Sequence, residues 1–103
     1  MPDPMKIRAT VVGDATEVKV LMTHEMETGQ RKDAQGKIVP AWFIQTVTVD
    51  HNGRPVLNAE WGPAVAKNPF LSFKFKGGAK GDKIEITWVD NRGEKRTDEA
   101  TIG

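Results

Sequence analysis

Apolar residues return at every second position through most of this chain, and that spacing points away from helices, which need intervals of three and four. In Phe70-Leu71-Ser72-Phe73-Lys74-Phe75-Lys76, Leu71, Phe73 and Phe75 share one face while Ser72, Lys74 and Lys76 share the other. In the segment from Lys83 to Trp88, Ile84, Ile86 and Trp88 alternate with Lys83, Glu85 and Thr87. Ile7, Ala9 and Val11 repeat the pattern near the start, as do Val18, Val20 and Met22. Val56 to Trp61 places Leu57, Ala59 and Trp61 on one side, and Glu94 to Ile102 reads as a polar last strand. The stretch from Trp42 to Asp50 is out of phase with itself. Phe43, Val47 and Val49 fall on the face of Gln45, and Trp42 and Ile44 on the face of Thr46 and Thr48. A β-bulge, or burial on both sides, reconciles the two halves.

Turn chemistry divides these seven candidate strands. Gly13-Asp14 separates the first two. His51-Asn52-Gly53-Arg54 contains the Asn-Gly pair favoured by type I′ hairpins, and Asp90-Asn91-Arg92-Gly93 suits a hairpin whose glycine takes positive φ. The expectation is an all-β fold, an immunoglobulin-like antiparallel β-sandwich of about seven strands, with residues 1–103 forming a single domain. One connection is too long for an economical sandwich. Residues 25–40 show no periodicity, and unstructured connections beyond about 12–15 residues are usually functional or disordered. Asp33 to Lys37 suggests a small hairpin within it.

Composition narrows the function classes. Fifteen Lys and Arg stand against 14 Asp and Glu, for a net charge of +1. That near balance argues against nucleic-acid binding, which relies on a cationic surplus to release counterions. No apolar run reaches the ~18 residues of a membrane helix. The absence of cysteine removes disulfide scaffolds, zinc ribbons, iron–sulfur clusters and thiol nucleophiles together. The opening Met1-Pro2-Asp3-Pro4-Met5-Lys6 has neither the charged region nor the apolar stretch of a secretory signal, which on its own reads as a cytoplasmic protein or a mature fragment.

The near misses for an active site have simpler explanations. His24-Glu25-Met26-Glu27-Thr28 approaches a zincin motif, but threonine occupies the position of the second histidine and the segment is not helical. Glu25 with Glu27, and Asp98 with Glu99, read as solvated charge. Lys76-Gly77-Gly78-Ala79-Lys80-Gly81-Asp82-Lys83 resembles an anion-cradling loop without the phosphate-loop spacing or a following helix. It reads first as a turn, with Lys76, Gly77, Gly78 and Lys80 as a weaker site for an anion or a partner's arm. Trp42, Trp61 and Trp88 read as core anchors, with Trp42 placed at a strand start where an indole can stay open to a partner. No catalytic, cofactor or metal set emerges, so binding is favoured over catalysis.

Three blocks carry a resemblance: Val20 through Asp33 with Ile38-Val39-Pro40-Ala41-Trp42-Phe43-Ile44, then Trp61 through Phe73, then Gly81-Asp82 through Trp88-Val89-Asp90. They closely resemble the SoxZ family of thiosulfate-oxidation carrier proteins, over essentially Lys6 to Ile102. Two positions depart from the family pattern, Glu25 standing where proline is usual and Trp42 where histidine is usual. The resemblance implies a non-catalytic, cofactor-free subunit of a periplasmic heterodimer. Its partner would be SoxY, whose C-terminal cysteine carries the sulfur intermediate. It implies only indirect dealings with the SoxAX cytochrome, the SoxB hydrolase and the SoxCD dehydrogenase, no membrane or nucleic-acid partner, and export with a signal-bearing partner. A thiol-free partner is chemically sensible, because a second thiol would compete for the persulfide by exchange.

The long loop is the first candidate surface for SoxY. It offers His24, Met26, Glu27, Thr28, Gly29, Arg31 and Lys32, with Met26 as an adaptable apolar contact and the two cations to steer acidic partners. Trp42 and the Lys76–Lys83 turn come second. Self-association through the vacant partner surface is open for the isolated chain. The alternative is a stand-alone immunoglobulin-like module for a carbohydrate or small ligand.

Overall fold

The alternating segments become seven strands: β1 (Lys6–Val12), β2 (Ala15–Leu21), β3 (Ile44–His51), β4 (Arg54–Glu60), β5 (Phe70–Lys76), β6 (Lys83–Asp90) and β7 (Lys95–Thr101). They come from a computed structural model of the chain, which describes residues 3–103. Met1 and Pro2, part of the opening segment and of the single-domain reading, lie outside the described residues. The strands form two antiparallel sheets, β1-β2-β5 and β4-β3-β6-β7. The connections β2–β3, β4–β5 and β5–β6 each pass between sheets, giving the Greek-key crossing of an immunoglobulin-like sandwich. All three expected hairpins are present. In the β3–β4 turn, Asn52 and Gly53 take φ of 49° and 84°, the left-handed pair that a type I′ turn requires.

The ambiguous stretch before Asp50 is resolved by a bulge. The register of β3 against β6 slips between Ile44 and Thr46, and Gln45 is the extra, exposed residue. The slip turns Ile44 to the same side as Val47 and Val49, and all three are fully buried. They meet Ile84, Ile86 and Trp88 of β6 in a core that Ala9, Val18, Val20 and Met22 complete from the other sheet. The polar last strand turns Arg96 and Asp98 toward the interior. They satisfy each other at 2.7 Å, and Asp98 also accepts the Met5 N–H at 2.9 Å.

The glycine-rich turn after β5 is a packed corner, in line with its first reading as a turn, and several of its amides are already bonded. The N–H of Gly77 is spent on Asp14, that of Gly81 on Ile102 and that of Asp82 on Ala79. The acceptor such a loop would recruit is already built in. The Asp82 carboxylate takes the Ala79 N–H at 3.0 Å and His51 Nε2 at 2.8 Å, and these bonds, His51 first, hold its carboxyl below the usual carboxylate range. Lys76 and Lys80 remain exposed, but Gly77 and Gly78 serve packing. Gly77 C=O accepts the Thr16 hydroxyl at 2.7 Å, and a Cβ on Gly78 (φ 91°) would overlap Thr16 Oγ1.

Gly78→Ala should therefore destabilise far more than Gly36→Ala, whose glycine has φ of 81° but open space around it. Backbone strain of about 1–2 kcal/mol is common to both. The Thr16 overlap adds roughly 1–3 kcal/mol more to Gly78→Ala alone, and urea midpoints of the two variants check the difference.

Candidate functional site

At the end of the sandwich where β6 turns into β7, one carboxylate gathers segments far apart in sequence. The side chain of Asp90 is fully enclosed. Its Oδ1 accepts the N–H groups of Arg92 at 3.0 Å and Glu94 at 2.9 Å, which closes the hairpin. Its Oδ2 accepts Trp42 Nε1 at 2.7 Å and His24 Nε2 at 3.1 Å. The other imidazole nitrogen, Nδ1, accepts the Met26 N–H at 3.0 Å. That bond gives Nδ1 the acceptor role and leaves Nε2 as the donor to Asp90. Burial pushes the Asp90 carboxyl up, but the bonds from Trp42, His24 and the two backbone amides outweigh it and hold the group below its ordinary range.

Neighbouring contacts lock the same region. Asn91 accepts the Phe43 N–H at 2.8 Å and donates to the Ala41 carbonyl at 2.9 Å, fixing the approach to β3. The Arg92 guanidinium lies 4.1 Å over the Trp42 ring, a cation–π contact. On the far side, Asn68 Oδ1 accepts the His24 N–H and its own N–H donates to the His24 carbonyl. The Trp61–Phe73 block is thereby tied to the start of the long loop. The loop itself folds back as a short irregular ladder: Glu27 pairs with Trp42, Lys32 with Ile38, and Asp33 caps the tip by accepting from Gln35 and Lys37.

This ladder separates the residues expected to meet a partner. His24 and Met26 are buried, so neither presents its side chain at the surface. Met26, at φ 52°, points its sulfur at the Ile44 N–H, 3.4 Å away, and acts as a core plug instead of an adaptable surface contact. Gly29 packs beside Ala41. Glu27 is engaged by Arg31 at 2.9 Å. Thr28, Arg31 and Lys32 are exposed. Trp42 is half-buried, its indole edge on Asp90 and its face under Arg92. Asp90, Arg92 and Asn91 were legible only as turn residues. An Asp opening an Asp-x-x-Gly turn announces its bonds to local amides, and nothing in the sequence announces the two bonds its second oxygen makes.

Beside the network lies a cleft of about 210 Å3 lined by Thr23, His24, Glu25, Trp42, Trp88 and Glu94. Trp88 is itself buried, and its Nε1 has no acceptor. The histidine is no free base, because both ring nitrogens are occupied by structural bonds. Among the described residues, no group of three or more His, Cys, Asp or Glu is placed to hold a metal.

Asp90→Asn should show the weight of the network. The amide keeps one acceptor for the turn but sets an NH2 against two other donors, leaving buried partners unmatched at a cost of about 2–4 kcal/mol. Because the native carboxyl is depressed, its stabilisation is complete above the unfolded value near ~3.9 and is lost as pH falls through the folded one. The gap between native and variant urea midpoints should therefore be full at neutral pH and narrow below about pH 4.

Comparison with known proteins identifies the fold and the family separately. No curated protein matches the sequence. Among solved structures, the chain is similar to a superoxide reductase in the oxidized state, at 18% identity and a TM-score of 0.66, over 99% of this chain and 89% of that one. A hypothetical protein from Pyrococcus horikoshii OT3 gives 18% identity and a TM-score of 0.64 over the same shares of the two chains, 99% and 89%. A superoxide reductase (neelaredoxin) from Ignicoccus hospitalis gives 15% and 0.61, over 98% and 80%. At such identities the likeness is one of fold. The family model described as sulphur oxidation protein SoxZ matches residues 5–101, nearly the whole sandwich, and the chain belongs to the SoxZ family.

Proposed function

We propose that this protein is the non-catalytic subunit of a SoxYZ sulfur carrier in the periplasm, binding and supporting the SoxY subunit whose C-terminal cysteine holds the sulfur intermediate. The family match over residues 5–101 carries this reading; membership places the chain in the Sox sulfur-oxidation system. The geometry is consistent with a scaffold. The buried His24–Asp90 pair is consumed in joining the approach to β3, the long loop and the β6–β7 turn. The chain brings no thiol of its own, so sulfur exchange between subunits has no second acceptor here.

The exposed part of the long loop, Thr28, Arg31 and Lys32 with Trp42 and Arg92 beside it, belongs to the contact surface in this reading. It is polar, and Arg31 already spends its charge on Glu27, so it serves a rim better than a centre. One observation favours the alternative of a small-ligand module: the cleft lined by Trp42 and Trp88. That module would be a monomer indifferent to SoxY, with tryptophan fluorescence that responds to sugars.

Light scattering on size-exclusion fractions of this chain mixed with purified SoxY bearing its cysteine arm should give a 1:1 complex at micromolar concentration. Independent elution of the two at every concentration and salt would reject the carrier-subunit reading.

A further inference from the structure

The outer face of the three-stranded sheet is cationic and carries an exposed apolar pair at one end. Register aligns Lys6, Leu21 and Phe70 in one row across the strands, and Arg8, Lys19 and Ser72 in the next. Lys74 and Lys76 continue the face along β5. Against these five cations stands one carboxylate, Glu17, which reaches Lys19 at 3.5 Å and Lys74 at 3.9 Å. Phe70 is 62% exposed and the adjacent Leu21 40%.

Protection of sheet edges explains only part of this. Lysines on edge strands such as β1 and β5 discourage pairing with other chains. Lys19, however, lies on the central strand directly opposite Arg8, a like-charge cross-strand pair that weakens the sheet. Nor does edge protection call for an exposed phenylalanine against an exposed leucine. An apolar anchor flanked by cations suits an interface with a charged rim.

The face is continuous with the loop. Phe70 walls two shallow grooves, one shared with Lys6, Arg8, Lys19 and Leu21, the other with Trp61, Val65 and Pro69. Lys67 lines that second groove and also the groove of Thr28 and Arg31. The exposed loop residues therefore sit at the margin of a surface whose apolar anchor is Phe70. A permanent interface buries at least about 1,000 Å2 on each partner, which calls for this larger surface and not the polar loop alone.

Resting on the carrier-subunit reading, we infer that the outer face of β1-β2-β5 around Phe70 is where SoxY docks, and that SoxY presents there a carboxylate-rich rim around an apolar pocket. A protein suits this face better than an anionic membrane, because Glu17 in its midst would oppose lipid phosphates, whereas a protein surface can meet it with a cation.

The test measures binding of SoxY to the native chain and to Phe70→Ala, Arg8→Glu and the double variant Arg31→Glu/Lys32→Glu, with thermal unfolding of each chain alone. Arg8→Glu sets opposite charges across from Lys19, so its fold is not weakened. The inference expects Phe70→Ala to lose at least about tenfold in affinity. Arg8→Glu should lose about tenfold, mainly in association rate, and native binding should weaken between about 50 and about 500 mM salt. Native affinity retained by both Phe70→Ala and Arg8→Glu overturns the docking surface while leaving the carrier reading intact. Loss confined to the loop double variant does the same. Failure of the native chain to bind SoxY overturns both. Binding of the native chain to phosphatidylglycerol vesicles, abolished by Arg8→Glu while SoxY binding persists, assigns the face to membranes and overturns the inference.

Discussion

The enclosed carboxylate of Asp90 is the constraint around which one end of this sandwich is organised. A buried charge is tolerated only when its acceptor sites are filled, and filling these four draws on three separate parts of the chain. Local amides of the β6–β7 turn supply two bonds, Trp42 a third and His24 a fourth. The Met26 N–H on its other nitrogen favours the tautomer in which His24 donates there, so the turn into the long loop and the hydrogen bonds of Asp90 support each other. The loop is thus ordered from inside, by its first residues. Its tip is left to solvent, where Thr28 and Lys32 lie.

This architecture explains which features could be read from the sequence. Alternation places one face of each strand inside by a local rule, so the seven strands and their three hairpins were accessible, as was the break in phase before Asp50 that a bulge turns out to resolve. His24 and Met26 were not readable as core, because their burial follows from the Glu27–Trp42 pairing that folds the loop back. That pairing is a contact between residues 15 apart with no periodic signature. The glycine-rich turn left a weaker anion reading open for a related reason. Glycines that free the backbone for an anion and glycines that clear space for Thr16 look alike in sequence. Only the spent amides and the Asp82 carboxylate distinguish them. The resemblance puts histidine at the position of Trp42. Here its indole N–H reaches Asp90, a donor role that an imidazole N–H is also able to fill.

The net charge of +1 conceals a division between the two outer faces. On the four-stranded sheet, Asp50, Glu85 and Glu99 stand in one row across β3, β6 and β7, with Lys83 bound to Glu99 at 2.9 Å. Both outer faces therefore accept like charges directly opposite one another, at a cost of a few tenths of a kcal/mol or more per pair. The backbones of packed sheets are about 10 Å apart and the outer side chains further still, beyond the ~8 Å screening length at physiological salt. Each face then presents its own field to an approaching molecule. An acidic partner is drawn to the face of Arg8 and Lys19 and repelled from that of Asp50 and Glu85, so the charge that weakens each sheet slightly also selects which sheet is met. Phe70 decides where on that sheet contact closes. It is the largest exposed apolar side chain of the cationic face, and it lies at the end nearest the loop that Asp90 holds in place.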